Sequence, residues 1–277
     1  MEQSSLTTNL DGATRLHLII GDPIAQVKSP AGLTRKFVAA GRNDIVVPIR
    51  VTNADLPAFL AGVSLAGNVD SIIITIPHKF ACFSQCESVS ERARRLGAVQ
   101  HMRRTPSGGW HGENFDGVSF IAGAREHGAR FEGARALLIG AGGAGSAIAL
   151  ALLEAGVAEL AIHDTDSGRR DALLERLRQG VATAVRHGSR DPAGFDIVVN
   201  ATPLGMRAGD PLPIDVEGLS RDSFVGCVVT APAVSPLIAA ARARGCRTST
   251  GLDMTEAAQK LGLAYVLGEQ ATSSGAV

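Results

Sequence analysis

The sequence predicts an α/β protein of two domains, each built on a mostly parallel sheet. Three observations carry that prediction. Short β-branched runs alternate with longer Ala-, Leu- and Arg-rich stretches from end to end, the pattern of strand–helix units whose strands pair in parallel. The 277 residues exceed one ordinary domain, which holds about 100–200. Midway along the chain a fresh strand runs into a glycine-rich turn, ARALLIGAGGAG at 134–145, where the pattern restarts.

The elements follow in order. In the first half, apolar runs predict strands at 16–20 (LHLII), 45–49 (IVVPI) and 71–76 (SIIITI). Helical patterns lie between and after them at 29–40, 54–65 and 87–96. In the second half the strands are 136–139, 159–162, 196–200 and 226–229, with helices at 144–155, 168–179 and 235–244. A boundary falls within 117–135, giving domains 1–117 and 118–251, and the segment 273–277 is expected to fray. No internal repeat or low-complexity linker interrupts the series.

Composition narrows the function classes. Hydrophobic residues make up 45% and charged residues 19%, enough for a packed core and against disorder. The 27 basic residues balance the 27 acidic ones, so no electrostatic footprint for nucleic acid or an anionic membrane is expected. Cys82, Cys86, Cys227 and Cys246 form no CxxC pair and read as reduced thiols of a cytoplasmic protein, with no metal site. The first twenty residues lack the basic start and apolar run of a signal peptide. The longest apolar stretch, at 137–156, is broken by five glycines, so no membrane span is expected.

Those glycines have a better explanation. Gly140, Gly142 and Gly145 fill a G-x-G-x-x-G frame with a strand before it and a helix after it. The first permits the tight turn, the second lets the backbone approach a pyrophosphate, and the third lets helix and strand pack closely. Ala141, Gly143 and Ala144 complete the turn, and the helix N-terminus offers its N–H groups to phosphates. This is the signature of a Rossmann-type, doubly wound nucleotide domain. Asp164 ends the run AELAIHD, 24 positions after Gly140, close to the ~20-residue spacing at which an acid meets the ribose hydroxyls of NAD. Asp166 could act likewise, or either acid could cap the helix near Ser167. Arg169 or Arg170 could pair with the 2′-phosphate of NADP. The acid favours NAD over NADP.

Five motifs, GDPIAQVKSP at 21–30, ITIPHK at 74–79, GENFDGVSF at 112–120, GAGGAG at 140–145 and NATPLGM at 200–206, resemble the shikimate/quinate dehydrogenases in order and spacing along nearly the whole chain. The resemblance implies an N-terminal substrate domain, a nucleotide domain and an active site in the cleft between them. A C-terminal helix at 252–277 would return to the first domain. The family's catalytic lysine falls on Lys79 and its partner aspartate on Asp116. Oxidation of a secondary alcohol needs a hydride acceptor and a group that removes the hydroxyl proton, and a cleft lysine with a tuned pKa can serve. The resemblance further implies that Ala201, Thr202, Pro203, Met206 and Gly251 border the cofactor. His78 is expected to face away from its neighbour, and His101, His111 and His163 carry no assigned role.

At the substrate positions the chain departs from the family. Ser29 remains of two serines that hold a carboxylate, the other being Val27. Ile73 and Phe115 replace an asparagine and a threonine, Thr75 is kept, and Gln100 stands for an asparagine. Thr230 replaces a tyrosine, and a glutamine expected at Ala258 is found one step on, at Gln259. Polar groups give way to hydrocarbon, so the implied pocket is remodelled and shikimate is expected to be a poor substrate. The reading is an NAD(P)-dependent dehydrogenase acting on a secondary alcohol or ketone of a small, shikimate- or quinate-like cyclic hydroxy acid, as monomer or homodimer. The alternative is a nucleotide-binding or regulatory protein that kept the fold without turnover.

Overall fold

The computed structural model describes residues 10–25, 27, 29–178 and 183–267. The segment 273–277 and the ends of two expected helices, residue 179 and those after 267, lie outside the described residues. Two compact units emerge: residues up to Phe115 together with those from Gln259 onward, and Asp116–Ala258.

The first unit contains β1 (Arg15–Gly21), α1 (Ser29–Ala39), β2 (Asp44–Arg50), α2 (Leu56–Ser64) and β3 (Val69–Ile74). It continues with α3 (Lys79–Phe83), β4 (Ser88–Val89), α4 (Glu91–Leu96), β5 (His101–Arg104) and β6 (Trp110–Glu113). Its sheet runs β2-β1-β3-β5-β6-β4, parallel over the first three strands and antiparallel where β5 meets β3 and β6. Side chains alternate across it with the two-residue strand period. Leu18, Ile20, Ile72 and Ile74 face one apolar cluster with Leu56, Leu60, Met102 and Trp110. Ile19 and Ile73 face another with Leu33, Phe37 and Val46, packed over by Leu263, Val266 and Leu267. Under that second cluster lies a buried polar chain: His17 Nδ1 pairs with Ser71 Oγ at 2.8 Å and Nε2 with Asp44 Oδ2 at 3.1 Å. The imidazole stacks on Phe37 with ring centres 4.4 Å apart.

The second unit holds α5 (Asp116–Glu126), β7 (Arg135–Ile139), α6 (Gly143–Glu154), β8 (Glu159–His163), α7 (Ser167–Arg178) and β9 (Ala184–His187). It ends with β10 (Ile197–Asn200), β11 (Phe224–Cys227), α8 (Pro236–Ala243), β12 (Arg247–Ser249) and the start of α9 (Gly251–Val266). All six strands are parallel in the order β12-β11-β10-β7-β8-β9. Counted along the chain this is the 3-2-1-4-5-6 order of a doubly wound nucleotide sheet. The order reverses between β7 and β10, and such sheets bind ligands outside the carboxyl ends of the strands at that point.

Several elements differ from expectation. The strand expected at 71–76 ends at Ile74, where Thr75–His78 turns the chain. The helix expected from 87 begins at Glu91, because Ser90 caps it by accepting from Ala93 N, and Ser88–Val89 pairs with β6 instead. The hairpin β5–β6 was not expected, since HMRR and WHGE carry few apolar residues. Arg104 belongs there nonetheless. Its guanidinium donates to the carbonyls of Val63, Ser64 and Ala66 and lies 4.3 Å over the Trp110 ring. The helix α5 occupies the stretch read as a boundary; Gly117 lets it approach α6, since a Cβ there would strike the Ala147 carbonyl.

Candidate active site

In the second unit, β7 ends against the glycine turn. Gly140 has φ +103° and donates its N–H to His163 O at 2.7 Å, a conformation that favours glycine. A Cβ on Gly145 would fall on the Gly140 carbonyl oxygen, so this residue answers to packing between turn and helix. Gly142 differs: a Cβ there would meet no atom within 4 Å, yet the residue borders a cavity of about 460 Å³. The bare backbone at the mouth of a twelve-residue helix with no acid in its first turn suits an anionic group. The cavity thus fits the pyrophosphate of a dinucleotide.

The same cavity is lined by Asp164, Ala201, Thr202 and Pro203, all expected from the sequence. His163, Thr165, Arg169, Arg190 and Pro211–Pro213 line it too. Ala141, Gly143, Ala144, Gly145, Met206 and Gly251 are not among its lining residues. Gly251 packs against the backbone of Val228 and Val229.

Asp164 is fixed by the backbone. Its Oδ2 accepts from Ala141 N at 2.7 Å and its Oδ1 from Asp166 N at 2.8 Å, leaving the side chain 7% exposed. Asp166 is a helix cap, accepting from Arg169 N at 3.0 Å. Arg169, 54% exposed, reaches both carboxylates, at 3.7 Å from Asp164 and 3.3 Å from Asp166. Opposite the glycine turn, buried Asn200 builds the loop after β10. Its Oδ1 accepts from Thr202 N at 3.1 Å and Thr202 Oγ1 at 2.6 Å, and its Nδ2 donates to Leu204 O at 3.3 Å. Asp210 braces the same loop by accepting from Gly205 N and Arg207 N, and those backbone bonds hold its carboxyl below the usual range. Asp116 opens α5 in this unit and is buried; Thr230 follows β11 and is half-buried.

In the first unit, the carboxyl ends of β1 and β3 are drawn together. Thr75 N donates to Ile20 O at 3.0 Å, and a Cβ on Gly21 would strike Thr75. Ile73 pairs across the sheet with His101, and Val27 packs against the cluster that contains Ile73. Gln100 O accepts from Ile74 N at 2.7 Å, while its side-chain Oε1 accepts from Phe115 N at 3.0 Å. The Phe115 ring is buried, edge-on to His101 at 5.4 Å and to Tyr265 at 5.5 Å. Ser29 opens α1, and one turn on Gly32 makes room for the carboxamide of Gln259, which a Cβ would displace. Burial lifts the Tyr265 phenol above its ordinary pKa, and its hydroxyl donates to His111 O at 2.7 Å.

Lys79 opens the short helix α3 and is half-buried. His78 lies on a turn, not on a strand, so its inward direction follows from the turn: it is fully buried with Nε2 2.8 Å from Val51 O. All four cysteines are free thiols, and burial raises Cys82 and Cys86 to about 12. Among the described residues no group of three His, Cys, Asp or Glu could hold a metal, and no helix is long and apolar enough to cross a membrane.

Residues 19–101 match the family model described as the shikimate dehydrogenase substrate binding domain. The shikimate dehydrogenase (NADP(+)) of Rubrobacter xylanophilus is 39% identical over 248 residues, 87% of either chain. The chain belongs to the shikimate dehydrogenase family. Its curated members are oxidoreductases acting on CH–OH groups. Among solved structures, the shikimate dehydrogenase fold recurs in the quinate dehydrogenase of Corynebacterium glutamicum in complex with NAD, with TM-score 0.84 and 32% identity over 92% of this chain and 94% of that one. It recurs in the 5-ketofructose reductase of Gluconobacter sp. strain CHM43, with TM-score 0.83 and 25% identity over 92% and 93%.

Proposed function

We propose that the protein is an NAD(P)-dependent dehydrogenase that interconverts a secondary alcohol and its ketone on a shikimate- or quinate-like cyclic hydroxy acid. The observation that carries the reading is the cavity at the switch point of the second sheet, where a bare glycine turn and a buried carboxylate meet. A bound nicotinamide nucleotide supplies the hydride acceptor. Gly140, Gly142 and the amino end of α6 would hold its phosphates, and Ala201–Pro203 would border its reactive side.

In this reading Lys79 moves the proton: its amine takes the hydroxyl proton as the alcohol becomes a ketone and returns it in the reverse direction. Asp116 is the carboxylate of the pair. Ser29, Thr75, Gln100 and Gln259 orient the substrate. Val27, Ile73 and Phe115 give the pocket hydrocarbon walls in place of hydrogen-bonding groups.

For the nucleotide, NAD is assigned ahead of NADP. Asp164 is buried and held by two N–H groups, and its charge opposes a 2′-phosphate. Arg169 has the attracting charge but is already engaged by two carboxylates. The NADP(+) names of the curated relatives favour the other choice, whereas the quinate dehydrogenase holds NAD. The deciding experiment is absorbance at 340 nm with either nucleotide and a panel of cyclic hydroxy compounds. Nucleotide reduction with at least one is expected. Tight nucleotide binding with no turnover of any member would leave a binding protein and overturn the reading.

A further inference from the structure

The cavity of the second unit has two ends that differ in chemistry. One is the glycine turn after β7, where Gly142 borders it with bare backbone. The other is walled by Arg190 together with Pro211, Leu212 and Pro213. Proline has no N–H, so two of those three consecutive residues have nothing to donate to an anion. Phosphates belong at the glycine turn, and the far end suits a flat, uncharged group.

Arg190 is fastened to that wall by the chain itself. Its carbonyl accepts from Asp215 N at 2.9 Å, its Nε donates to Pro213 O at 3.3 Å and its Nη2 to Leu212 O at 2.8 Å. Asp215 Oδ1, 3.6 Å from the same Nη2, balances the charge. Both carbonyls take donors from one edge of the planar guanidinium, so the plane is fixed while the side chain stays 47% exposed. A planar cation held by its edge has its faces left for contact, and such a face attracts the π surface of an aromatic ring.

Position along the sheet decides which ring. Strands β7, β8 and β9 run in that order to the sheet edge, away from β10 and the loop that holds Ala201. In a doubly wound sheet the pyrophosphate lies at the turn after the first strand and the ribose at the acid that closes the second. The base of that ribose comes next, toward the third strand, and Arg190 follows β9 by three residues. We propose, resting on the nucleotide site of the dehydrogenase reading, that Arg190 positions the adenine: its guanidinium face stacks on the base, and Pro211, Leu212 and Pro213 close the slot. Arg190 thus selects for the purine, apart from Asp164, which faces the ribose.

The test is titration calorimetry with ADP and UDP, which carry the same phosphates and charge on a larger and a smaller ring. The parent should bind ADP about tenfold or more tightly than UDP. Arg190→Met and Arg190→Lys should each weaken ADP by about three- to thirtyfold, the range of a lost cation–π contact, and change UDP much less. Asp215→Asn should leave the preference for ADP in place. KM for NAD should rise with the loss of ADP affinity in both Arg190 variants, at unchanged kcat. An equal loss of ADP and UDP, or full rescue by the lysine, would make Arg190 a phosphate contact, overturning the inference and leaving the dehydrogenase reading intact. A parent without the preference, or variants that keep it, would overturn the inference too. Loss of the preference in variants of a protein that turns over no hydroxy compound would uphold the inference and remove the dehydrogenase reading.

Discussion

Lys79 is held at its backbone from two sides: its carbonyl accepts from Val99 N at 3.0 Å, and the preceding His78 is anchored to Val51 O. That fixes where the side chain starts while leaving its chemistry to the amine. Replacing Lys79 by Ala should lower kcat by about 10²–10⁴, the usual contribution of a positioned acid or base, with nucleotide affinity unchanged by titration. A variant with near-parental turnover would remove the assignment. Asp164→Ser should bring the kcat/KM values for NAD and NADP closer by about tenfold or more, because the carboxylate facing a 2′-phosphate is gone. An unaltered ratio would shift the choice of nucleotide to Arg169. Both residues were singled out in the sequence, one from its motif and one from its distance to the glycine turn. Arg190 was not. It reaches the cavity only because the carbonyls of Leu212 and Pro213, more than twenty residues later, turn its guanidinium there.

At the scale of elements, the loop after β10 is built by one buried side chain. Asn200 accepts twice from Thr202 and donates to Leu204 O and to Cys227 Sγ. At roughly 0.5–1.5 kcal/mol for each bond, Asn200→Ala should destabilise the protein by about 2–4 kcal/mol. The urea midpoint should fall and KM for the nucleotide rise, while Cys227→Ala, which takes from Asn200 only its weakest acceptor and also frees Ser235 Oγ, should change KM little. Equal KM effects of the two would mean that the loop is not organised from Asn200. Four strands of the second sheet, β7, β8, β10 and β11, were easy to read because most of their residues are buried on both faces, which leaves apolar runs such as ALLI and FVGC, whereas β9 and β12, with exposed residues, were not read. The hairpin β5–β6 was hidden for the opposite reason. Its Arg104 satisfies backbone carbonyls of another segment, and no local pattern announces a contact made at that distance.

Across the whole molecule, stability should depend on pH through His17. Burial lowers its pKa, opposed by the hydrogen bond and charge of Asp44, so folding favours the neutral imidazole. The unfolded chain binds this proton more readily, with a pKa of about 6.5. The stabilisation is therefore complete above that value and is lost as pH falls through the lower folded value. The urea midpoint should decline as pH drops below about 6.5, ahead of the carboxylate range. In His17→Gln the midpoint at neutral pH should be lower and that stretch of the profile flatter. A parental profile flat down to pH 5 would exclude the effect. Distant parts of the chain also meet in the packing of Leu263, Val266 and Leu267 over Ile19, Leu33, Phe37 and Val46. The ribosome makes those partners more than two hundred residues apart. The first sheet therefore waits, with one apolar face only partly covered by α1, while about two hundred further residues are made, among them 116–258 as an unbroken stretch. Nascent chains stalled after residue 258 should show a protease-resistant nucleotide unit and a cleavable N-terminal half that needs a chaperone. Birth order and folding order run in opposite directions in this chain.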